Sequence, residues 1–329
     1  MSGGPIQVDG PGHAPVLVLS NSLGTSGAMW DAQVPALAQR FRVVRYEHRG
    51  HGGTSTPPGP CRIDDLGADL LAVLDEVGAP RASLLGLSLG GMVAMWVAAH
   101  HPGRVESLVL ACTAPALPPA DAWRDRAAQV RAAGPGGLLD GLLGRWFTAG
   151  FAERHPEVRR SVAAMLDAAS AEGYAACCDA IAGMDQWADL DRIVAPTLVI
   201  AGAHDPVTPP DVALRMQQAI AGASLVVLSH AAHLANVEAA DRFTDAVVDH
   251  LAGNPAARGR AVRASVLGDH HVDRSDADAS DLTRPFLDFI TRYAWGDIWT
   301  RPGIDLRTRS CITLAALTAL GREGELALH

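Results

Sequence analysis

The sequence predicts an α/β fold in which a mostly parallel sheet is covered by helices on both faces and by a helical cap. Short apolar runs alternate with longer amphipathic stretches along most of the chain, as expected for strands that alternate with covering helices. One interval of about 85 residues contains no strand-like run. The 329 residues, 48% of them hydrophobic, suffice for one large core and leave room for a second domain.

The strands are predicted from the short apolar runs and the helices from the amphipathic stretches. The predicted strands are Val16–Ser20, Arg42–Tyr46, Ala82–Leu87, Val105–Ala111, Thr197–Ala201 and Leu225–Leu228. The predicted helices include Ile63–Val77, Leu89–His100, Pro210–Ala219 and Asn236–Leu251. Proline is tolerated in the first turn of a helix, so Pro210 fits the start of the third of these.

A helical cap is predicted at about residues 115–192. The interval between Ala111 and Thr197 is rich in Ala, Arg and Trp and has the pattern of several helices. It is too long for a loop within a sheet. We therefore expect an insertion that lies over the carboxyl ends of the strands.

The chain is predicted to have three parts: an α/β domain at 1–252, a linker at 253–265 and an all-helical segment at 266–329. Gly253–Arg263 is small, polar and contains a proline, which is typical of a linker. Apolar residues of the last segment recur at helical spacing: Phe286, Ile290, Tyr293 and Ala294, then Ile312, Ala316, Ala319 and Leu320. A segment with so few helices cannot bury these apolar residues in a core of its own. We therefore expect the apolar helix faces to dock on the rest of the chain, to associate with other copies or to stay mobile.

Composition excludes several classes of partner. A formal net charge of −9 gives no electrostatic footprint for nucleic acid or for an anionic membrane. No apolar run reaches the roughly 18 residues of a membrane-spanning helix, and the first residues do not resemble a signal peptide. The five cysteines lack CxxC or Cys/His spacing, so a reduced, cytoplasmic location is expected and no metal or cofactor is implied.

The most informative motif is Gly86-Leu87-Ser88-Leu89-Gly90, which matches G-x-S-x-G. An apolar strand leads directly into it and an apolar helix follows, as a nucleophile elbow requires. The same glycines would also suit a plain strand-to-helix turn with a capping serine. Because the context agrees at every level, we favour Ser88 as a catalytic nucleophile on an α/β-hydrolase fold.

A serine nucleophile needs a base and an acid that orients the base. His233 is the preferred base because it follows the predicted strand Leu225–Leu228 and lies five positions before Glu238, a spacing that resembles the base loop of this fold. His230 is the rival base if the loop turns early. Asp205 is the preferred acid, since it follows the strand Thr197–Ala201 and lies between nucleophile and base in the chain. The other acids considered, Asp185, Asp189 and Asp191, lie in the polar end of the cap.

Two backbone N–H groups are expected to hold the oxyanion of a tetrahedral intermediate. One belongs to Leu89, the residue after the nucleophile. The other is assigned to Leu23 in the loop Ser20-Asn21-Ser22-Leu23-Gly24, which follows the first core strand. If Gly86–Gly90 were not a nucleophile elbow, the same loop would be interpreted as an ordinary polar turn.

Two further sets of residues remain open on the sequence alone. Arg49, within His48-Arg49-Gly50-His51-Gly52, is favoured as a structural residue, because buried arginine pairs organise such loops. The cap residues Trp123, Trp146, Trp187 and Met184 either line a pocket or form the core of the cap.

Several stretches resemble the 3-oxoadipate enol-lactonases over roughly residues 5–251. They are LSNSLGTSGAMWDAQVPAL, YEHRGHGGTSTP, LLGLSLGGMVAMWVA, GRWFTAGF, PTLVIAGAHDPVTPP and HAAHLANVE. The resemblance implies Ser88, Asp205 and His233 as the triad and the amides of Leu23 and Leu89 as the oxyanion hole. It also implies a small-molecule lactone as substrate and a place in aromatic catabolism through the β-ketoadipate pathway.

The substrate implied by this resemblance carries a free carboxylate. We expect a cation in the cap to bind it, and Arg145 beside Trp146 is the best candidate, although an arginine exposed to solvent fits the same pattern. Trp123, Trp146 and Met184 are candidate substrate-binding residues of the same cap.

The tail resembles a second family, the 4-carboxymuconolactone decarboxylases. FLDFITRYAWGDIWTRPGIDLRTRSCITLAALTALGREGELALH looks like the first half of such a protein. The resemblance places an active-site histidine at His329, where the sequence stops. We therefore expect the tail not to decarboxylate.

Three alternatives to the lactonase stay open. A general carboxylesterase or a cofactor-free haloperoxidase uses the same fold. If the tail formed a complete decarboxylase domain, a lyase that acts through the tail would be favoured. A hydrolase-like receptor without catalysis is the third, and an intact elbow, acid and base argue against it.

Overall fold

The computed structural model describes residues 6–57, 59, 61–253, 255–280, 282–301 and 303–326. These divide into two compact units. The first contains the residues up to Asp9, Val16–Gln39 and Val43–Val247, and the second contains Gly10–Pro15, Arg40–Arg42 and the chain from Val248 onward. No helix in the described ranges is both long enough and apolar enough to cross a membrane.

The first unit is built on a seven-stranded sheet, counted over the described residues, with the strand order β1-β3-β2-β4-β5-β6-β7. The strands are β1 (Gln7–Asp9), β2 (Val16–Ser20), β3 (Arg42–Arg45), β4 (Ala82–Leu87), β5 (Val105–Ala111), β6 (Thr197–Gly202) and β7 (Ser224–Leu228). β1 runs antiparallel to β3, whereas the pairs β2–β4, β4–β5, β5–β6 and β6–β7 are parallel. The predicted α/β-hydrolase fold with a mostly parallel sheet is confirmed.

The helices alternate with the strands along the chain. They are α1 (Val34–Leu37), α2 (Ile63–Glu76), α3 (Leu89–His100), α4 (Ala120–Ala133), α5 (Leu139–Trp146), α6 (Phe151–Arg154), α7 (Pro156–Asp167), α8 (Ala171–Ala182), α9 (Pro210–Ala219), α10 (Ala235–Glu238) and α11 (Ala240–Ala252). The interval between β5 and β6 is described throughout and contains α4–α8, two short 3-10 helices and no strand. The interval predicted as a cap is therefore helical.

The parallel register brings the ends of the central strands to one edge of the sheet. Leu87 of β4 lies opposite Ala111 of β5, and Gly202 of β6 lies opposite Leu228 of β7. The central strands are buried on both faces, and α3 is buried along nearly its whole length. Because the strands are parallel, the loops that follow them meet at the same edge.

One predicted helix, Asn236–Leu251, is wrong as a single element. The chain forms α10 and α11 instead, and Ala239 between them leaves the helical region with φ −125° and ψ 48°. The Asn236 amide donates to Met29 O at 2.8 Å, and the Glu238 carboxylate binds two further segments of the first unit. These contacts stabilise the short helix separately, which hydrophobic periodicity does not reveal.

The second unit is helical. Its elements are α12 (Pro255–Leu267), α13 (Asp269–Ala277), α14 (Arg284–Ile290), a π-helix at Thr291–Ile298, α15 (Leu306–Ala319) and α16 (Glu323–Leu326). Helix α12 covers most of the interval 253–265 that was predicted as a linker. Its alanines and arginines have high helix propensity, which outweighs the polar, linker-like composition. The predicted division into domains, including the linker at 253–265, stays a prediction, and His329 lies outside the described residues.

Candidate active site

Ser88 occupies a strained turn between β4 and α3. Its φ of 55° and ψ of −117° lie where residues other than glycine rarely occur. The Ser88 N–H donates to Ala111 O at 3.0 Å, and the Thr113 hydroxyl donates to Ser88 O at 2.7 Å. The neighbouring strand β5 and the residues that follow it thus hold the backbone in this conformation.

Two glycines allow the elbow to form because the backbone packs closely around them. A Cβ on Gly90 would lie 2.0 Å from Ser20 O, and a Cβ on Gly86 would lie 2.2 Å from Gly90 O. Both distances are far below a van der Waals contact. The G-x-S-x-G spacing therefore has a steric cause, since α3 lies directly against β4 and the end of β2.

His233 and Asp205 form a buried pair. His233 Nδ1 lies 2.8 Å from Asp205 Oδ2, and both side chains are almost entirely inaccessible to solvent. Asp205 also accepts hydrogen bonds from the backbone of Val207 and from the backbone and hydroxyl of Thr208, at 2.7–3.0 Å. Burial alone would raise the pKa of Asp205, but His233 and Thr208 outweigh it and hold the pKa below its usual value.

The loop that carries His233 is tied to the cap. Leu234 N–H donates to Trp146 O at 2.9 Å. The Glu238 carboxylate accepts from Ala232 N–H at 2.8 Å and from Thr148 N–H at 2.9 Å, and it also bonds the Thr148 hydroxyl. The spacing of His233 and Glu238 therefore has a structural reason: the glutamate fixes the residue that precedes the histidine.

The alternative base and acids are not brought to the elbow. His230 is exposed. Asp185 accepts from the backbone of Trp187 at 3.1 Å, Asp189 pairs with Arg192 at 3.2 Å, and Asp191 is exposed.

The loop after β2 is rigid and presents Leu23 to the site. The Asn21 amide donates to Tyr46 O at 2.9 Å and accepts from Trp30 Nε1 at 2.9 Å. Gly24 N–H donates to His51 Nε2 at 3.0 Å. The Leu23 N–H has no hydrogen-bond partner among the described residues. Leu89, the first residue of α3, likewise has no acceptor one turn earlier in its helix.

A cavity of about 210 Å³ joins these groups to the cap. From the catalytic edge it is lined by Ser22, Leu23, Ser88, Pro206, Val207 and His233. From the cap it is lined chiefly by Trp123, Arg126, Leu142, Arg145, Trp146 and Tyr174. The cavity is large enough for a small molecule, and both Ser88 and His233 line it.

Three of the cap residues named from the sequence line this cavity, and two, Met184 and Trp187, do not. The three are Trp123, Arg145 and Trp146. The Trp187 ring packs instead against the Arg215 guanidinium, whose carbon lies 4.2 Å from the ring centre. Met184 is buried, and its sulfur lies 3.8 Å from Gln186 Nε2. Met184 is therefore part of the cap core. Arg49 pairs with Asp69, as a structural role requires.

Sequence reasoning missed Arg126 and Tyr174. Arg126 lies one turn after Trp123 on α4, so its place on the same face could have been found from helical spacing. Tyr174 lies on α8, one turn before Cys178 and far from any motif. Nothing in the sequence distinguishes it from a core tyrosine.

The strained serine, the buried histidine–aspartate pair and the sheet order define the class of protein: the chain belongs to the α/β-hydrolase fold family, which it matches over residues 15–240. It is a hydrolase. It is 42% identical over 238 residues to 3-oxoadipate enol-lactonase 2 of Acinetobacter baylyi, a match that covers 72% of this chain and 89% of that protein. The crystal structure of the enol-lactonase from Burkholderia xenovorans superposes with a TM-score of 0.73 at 42% identity, covering 75% of this chain and 95% of that chain.

The tail matches a second family. Residues 284–329 match the carboxymuconolactone decarboxylase family. A 4-carboxymuconolactone decarboxylase of Acinetobacter baylyi is 50% identical over 72 residues, which is 22% of this chain and 54% of that protein. Both resemblances seen in the sequence are confirmed.

Proposed function

We propose that this hydrolase opens 3-oxoadipate enol-lactone to 3-oxoadipate, with Ser88 as nucleophile, His233 as general base and Asp205 as the residue that orients the base. The observation that carries the proposal is that Ser88 and His233 line one cavity while Asp205 binds the far nitrogen of His233. The similarity to enol-lactonases of two organisms supports the substrate.

Acylation follows from this arrangement. Asp205 binds Nδ1 of His233, which leaves Nε2 to take the proton of the Ser88 hydroxyl. The serine oxygen attacks the lactone carbonyl, and the N–H groups of Leu23 and Leu89 donate to the oxyanion. Removal of one such donor costs about 3 kcal/mol in related enzymes.

Ring opening and hydrolysis complete the cycle. When the tetrahedral intermediate collapses, the carbonyl–oxygen bond of the ring breaks and the leaving oxygen becomes an enolate tethered to the acyl group. The proton that His233 took from Ser88 is passed on to the enolate carbon, which gives the ketone and leaves His233 neutral for the next step. Water, deprotonated by His233, attacks the acyl-enzyme, and Ser88 leaves with the proton. The sum is lactone plus water to one keto diacid. An enolate is a better leaving group than an alkoxide, so positioning contributes more than added electrophilic help.

Ser88→Ala tests the proposal. We expect kcat/KM for the enol lactone to fall by about 10⁴–10⁶ while the melting temperature stays near that of the unmodified chain. Ser161→Ala, which removes an exposed serine on α7, is the matched control. A folded Ser88→Ala protein that keeps most of its lactonase activity would falsify the assignment of the nucleophile.

The substrate is tested separately from the nucleophile. The enol lactone and a p-nitrophenyl ester are assayed side by side with the same enzyme. A much higher kcat/KM for the lactone is the expected result. Preference for the simple ester would instead identify a general carboxylesterase on the same fold.

We further propose that the tail mediates association between copies of the chain. Phe286, Tyr293, Ile312 and Leu320 are between 51% and 72% exposed, so its helices present apolar side chains to solvent. Sedimentation velocity over a range of concentrations should show association of the full chain and its loss when the chain ends after Gly253. Identical sedimentation of the two proteins would contradict this.

A further inference from the structure

The cap side of the cavity carries two cations that lack a carboxylate partner. Arg126 of α4 and Arg145 of α5 both line the cavity, and neither forms an ion pair among the described residues. Arg131, farther along α4, shows the usual arrangement, since it is held by Glu172 at 2.9 Å and Asp179 at 2.7 Å. The two cavity arginines thus differ from their neighbour in having no carboxylate partner among the described residues.

Arg126 is held in place without a counter-ion. Its guanidinium carbon lies 4.8 Å from the centre of the Trp123 ring. The Trp123 indole N–H donates to Leu117 O at 3.0 Å, so the ring itself is fixed. Stacking of this kind orients a guanidinium and leaves its N–H groups available. Burial, and then the charge of Arg126, lower the pKa of Arg145, a sign that the two cations repel each other in the cavity.

Tyr174 supplies a third donor. Its side chain is fully buried and lines the cavity, and its hydroxyl lies near Arg126 but makes no hydrogen bond of ordinary geometry among the described residues. An unmatched buried hydroxyl is unfavourable by about 1–3 kcal/mol, so an acceptor is expected when the site is occupied. Burial raises the pKa of Tyr174, so the group remains a donor at neutral pH.

The position of the tyrosine is fixed relative to the proposed oxyanion loop. Its ring stacks on His51, with ring centres 6.2 Å apart, and His51 binds Gly24 N–H. A Cβ on Gly24 would lie only 2.8 Å from the Tyr174 ring. A ligand held by the hydroxyl is therefore held at a set distance from the loop that carries Leu23.

We propose that Arg126, Arg145 and Tyr174 form one binding subsite for the free carboxylate of the substrate, and that the enzyme selects lactones or esters that carry such a group. The inference rests on the proposed function of Ser88, and it adds Arg126 and the tyrosine hydroxyl to the arginine expected from the sequence. A carboxylate accepts several N–H and O–H donors at once, which matches two guanidinium groups and one phenol. It also relieves the repulsion between the two cations.

The decisive assay compares the enol lactone with its methyl ester, in which the carboxylate is capped and the reacting ring is unchanged. The unmodified enzyme should prefer the acid. Tyr174→Phe removes only the unpartnered hydroxyl, so the melting temperature should stay the same or rise, and the acid-to-ester ratio of kcat/KM should fall about ten-fold. Arg126→Met should lower the ratio at least as much, chiefly through KM for the acid.

Arg124→Met is the matched control, because it removes a positive charge from the same helix at an exposed position paired with Asp121. Its ratio should equal that of the unmodified enzyme. An equal fall in Arg124→Met, or an unchanged ratio in both Tyr174→Phe and Arg126→Met, overturns the subsite.

A binding measurement separates this inference from the proposed catalysis. Calorimetry with the Ser88→Ala protein should show adipate binding more tightly than dimethyl adipate, and addition of Tyr174→Phe should weaken adipate binding about ten-fold. If adipate binds no better than the diester, the subsite is wrong even when lactone hydrolysis is intact. If binding behaves as expected but the unmodified chain does not hydrolyse the lactone, the proposed function fails and the subsite stands.

Discussion

His51 links the pH dependence of stability to the proposed oxyanion loop. Its Nδ1 lies 3.0 Å from Arg49 O, and a carbonyl can only accept, so Nδ1 carries the proton. Nε2 must then be the acceptor for Gly24 N–H at 3.0 Å. If His51 Nε2 were protonated, its N–H would face the N–H of Gly24, next to Leu23, and no hydrogen bond could form between them. The imidazole therefore has to remain neutral.

The magnitude follows from burial. Burial lowers the pKa of His51 from 6.5 to about 4. The unfolded chain thus binds a proton that the folded chain excludes, so stability is highest above the unfolded pKa and is lost as the pH falls toward about 4. At 1.36 kcal/mol per pKa unit, this histidine alone accounts for roughly 2 kcal/mol lost by about pH 5 and for roughly 3 kcal/mol at lower pH. Burial, and then the charge of His51, lower the pKa of His48 to about 3, so this histidine also favours the folded state less as the pH falls.

His51→Gln tests this reasoning, because a glutamine amide oxygen accepts from Gly24 N–H and does not titrate. Urea unfolding at pH 7.5 and pH 5 gives the change in free energy of unfolding for each protein. We expect the acid loss to be roughly 2 kcal/mol smaller in His51→Gln than in the unmodified chain. His230→Gln, which removes an exposed imidazole, is the control. An acid loss of the same size in His51→Gln and the unmodified chain would refute the neutral-acceptor role.

Three further predictions concern the base loop and the tail. His233→Ala should lower kcat/KM for the lactone by about 10⁴ or more while His230→Ala changes it little, and a reversed result would move the base three residues upstream. Glu238→Gln leaves one acceptor oxygen for three donors, so the segment before His233 should become less well held. We expect kcat to fall about ten-fold as a result. An unchanged kcat would show that the hydrogen bonds of Glu238 are not needed for activity. A chain that ends after Gly253 should keep its kcat/KM, since every residue of the proposed site lies in the first unit, and a loss of activity would make the tail part of the hydrolase.

The fold could be predicted from the sequence because its central strands are short, fully buried and bounded by polar turns. The bounds of β2, β4 and β5 agree with the prediction to the residue. Ser88, Asp205 and His233 could be chosen because each lies in the turn or loop that follows a strand, and parallel strands bring such loops to one edge. Their catalytic roles stay proposals that the geometry supports.

Other features depend on contacts that no local pattern records. The break at Ala239 comes from side chains of α10 that bind Met29 and Thr148, more than 80 residues away in the chain. The positions of Met184 and Tyr174 could not be predicted from the sequence either. Each lies among apolar residues of a predicted cap helix or loop, yet Met184 packs into the cap core and Tyr174 lines the cavity.

The charges around the cavity give it a fixed polarity. Burial lowers the pKa of His48 and of His51, so both are neutral near pH 7, and the Asp205 carboxylate binds Nδ1 of His233. On the cap side two guanidinium groups remain unpaired among the described residues. If the proposed function is correct, we expect an acidic lactone to bind with its carboxylate toward the cap and its ring carbonyl toward Ser88 and the N–H groups of Leu23 and Leu89. The two guanidinium groups are in place before a substrate binds, so we expect binding energy gained at the carboxylate to position the carbonyl rather than rearrange the protein.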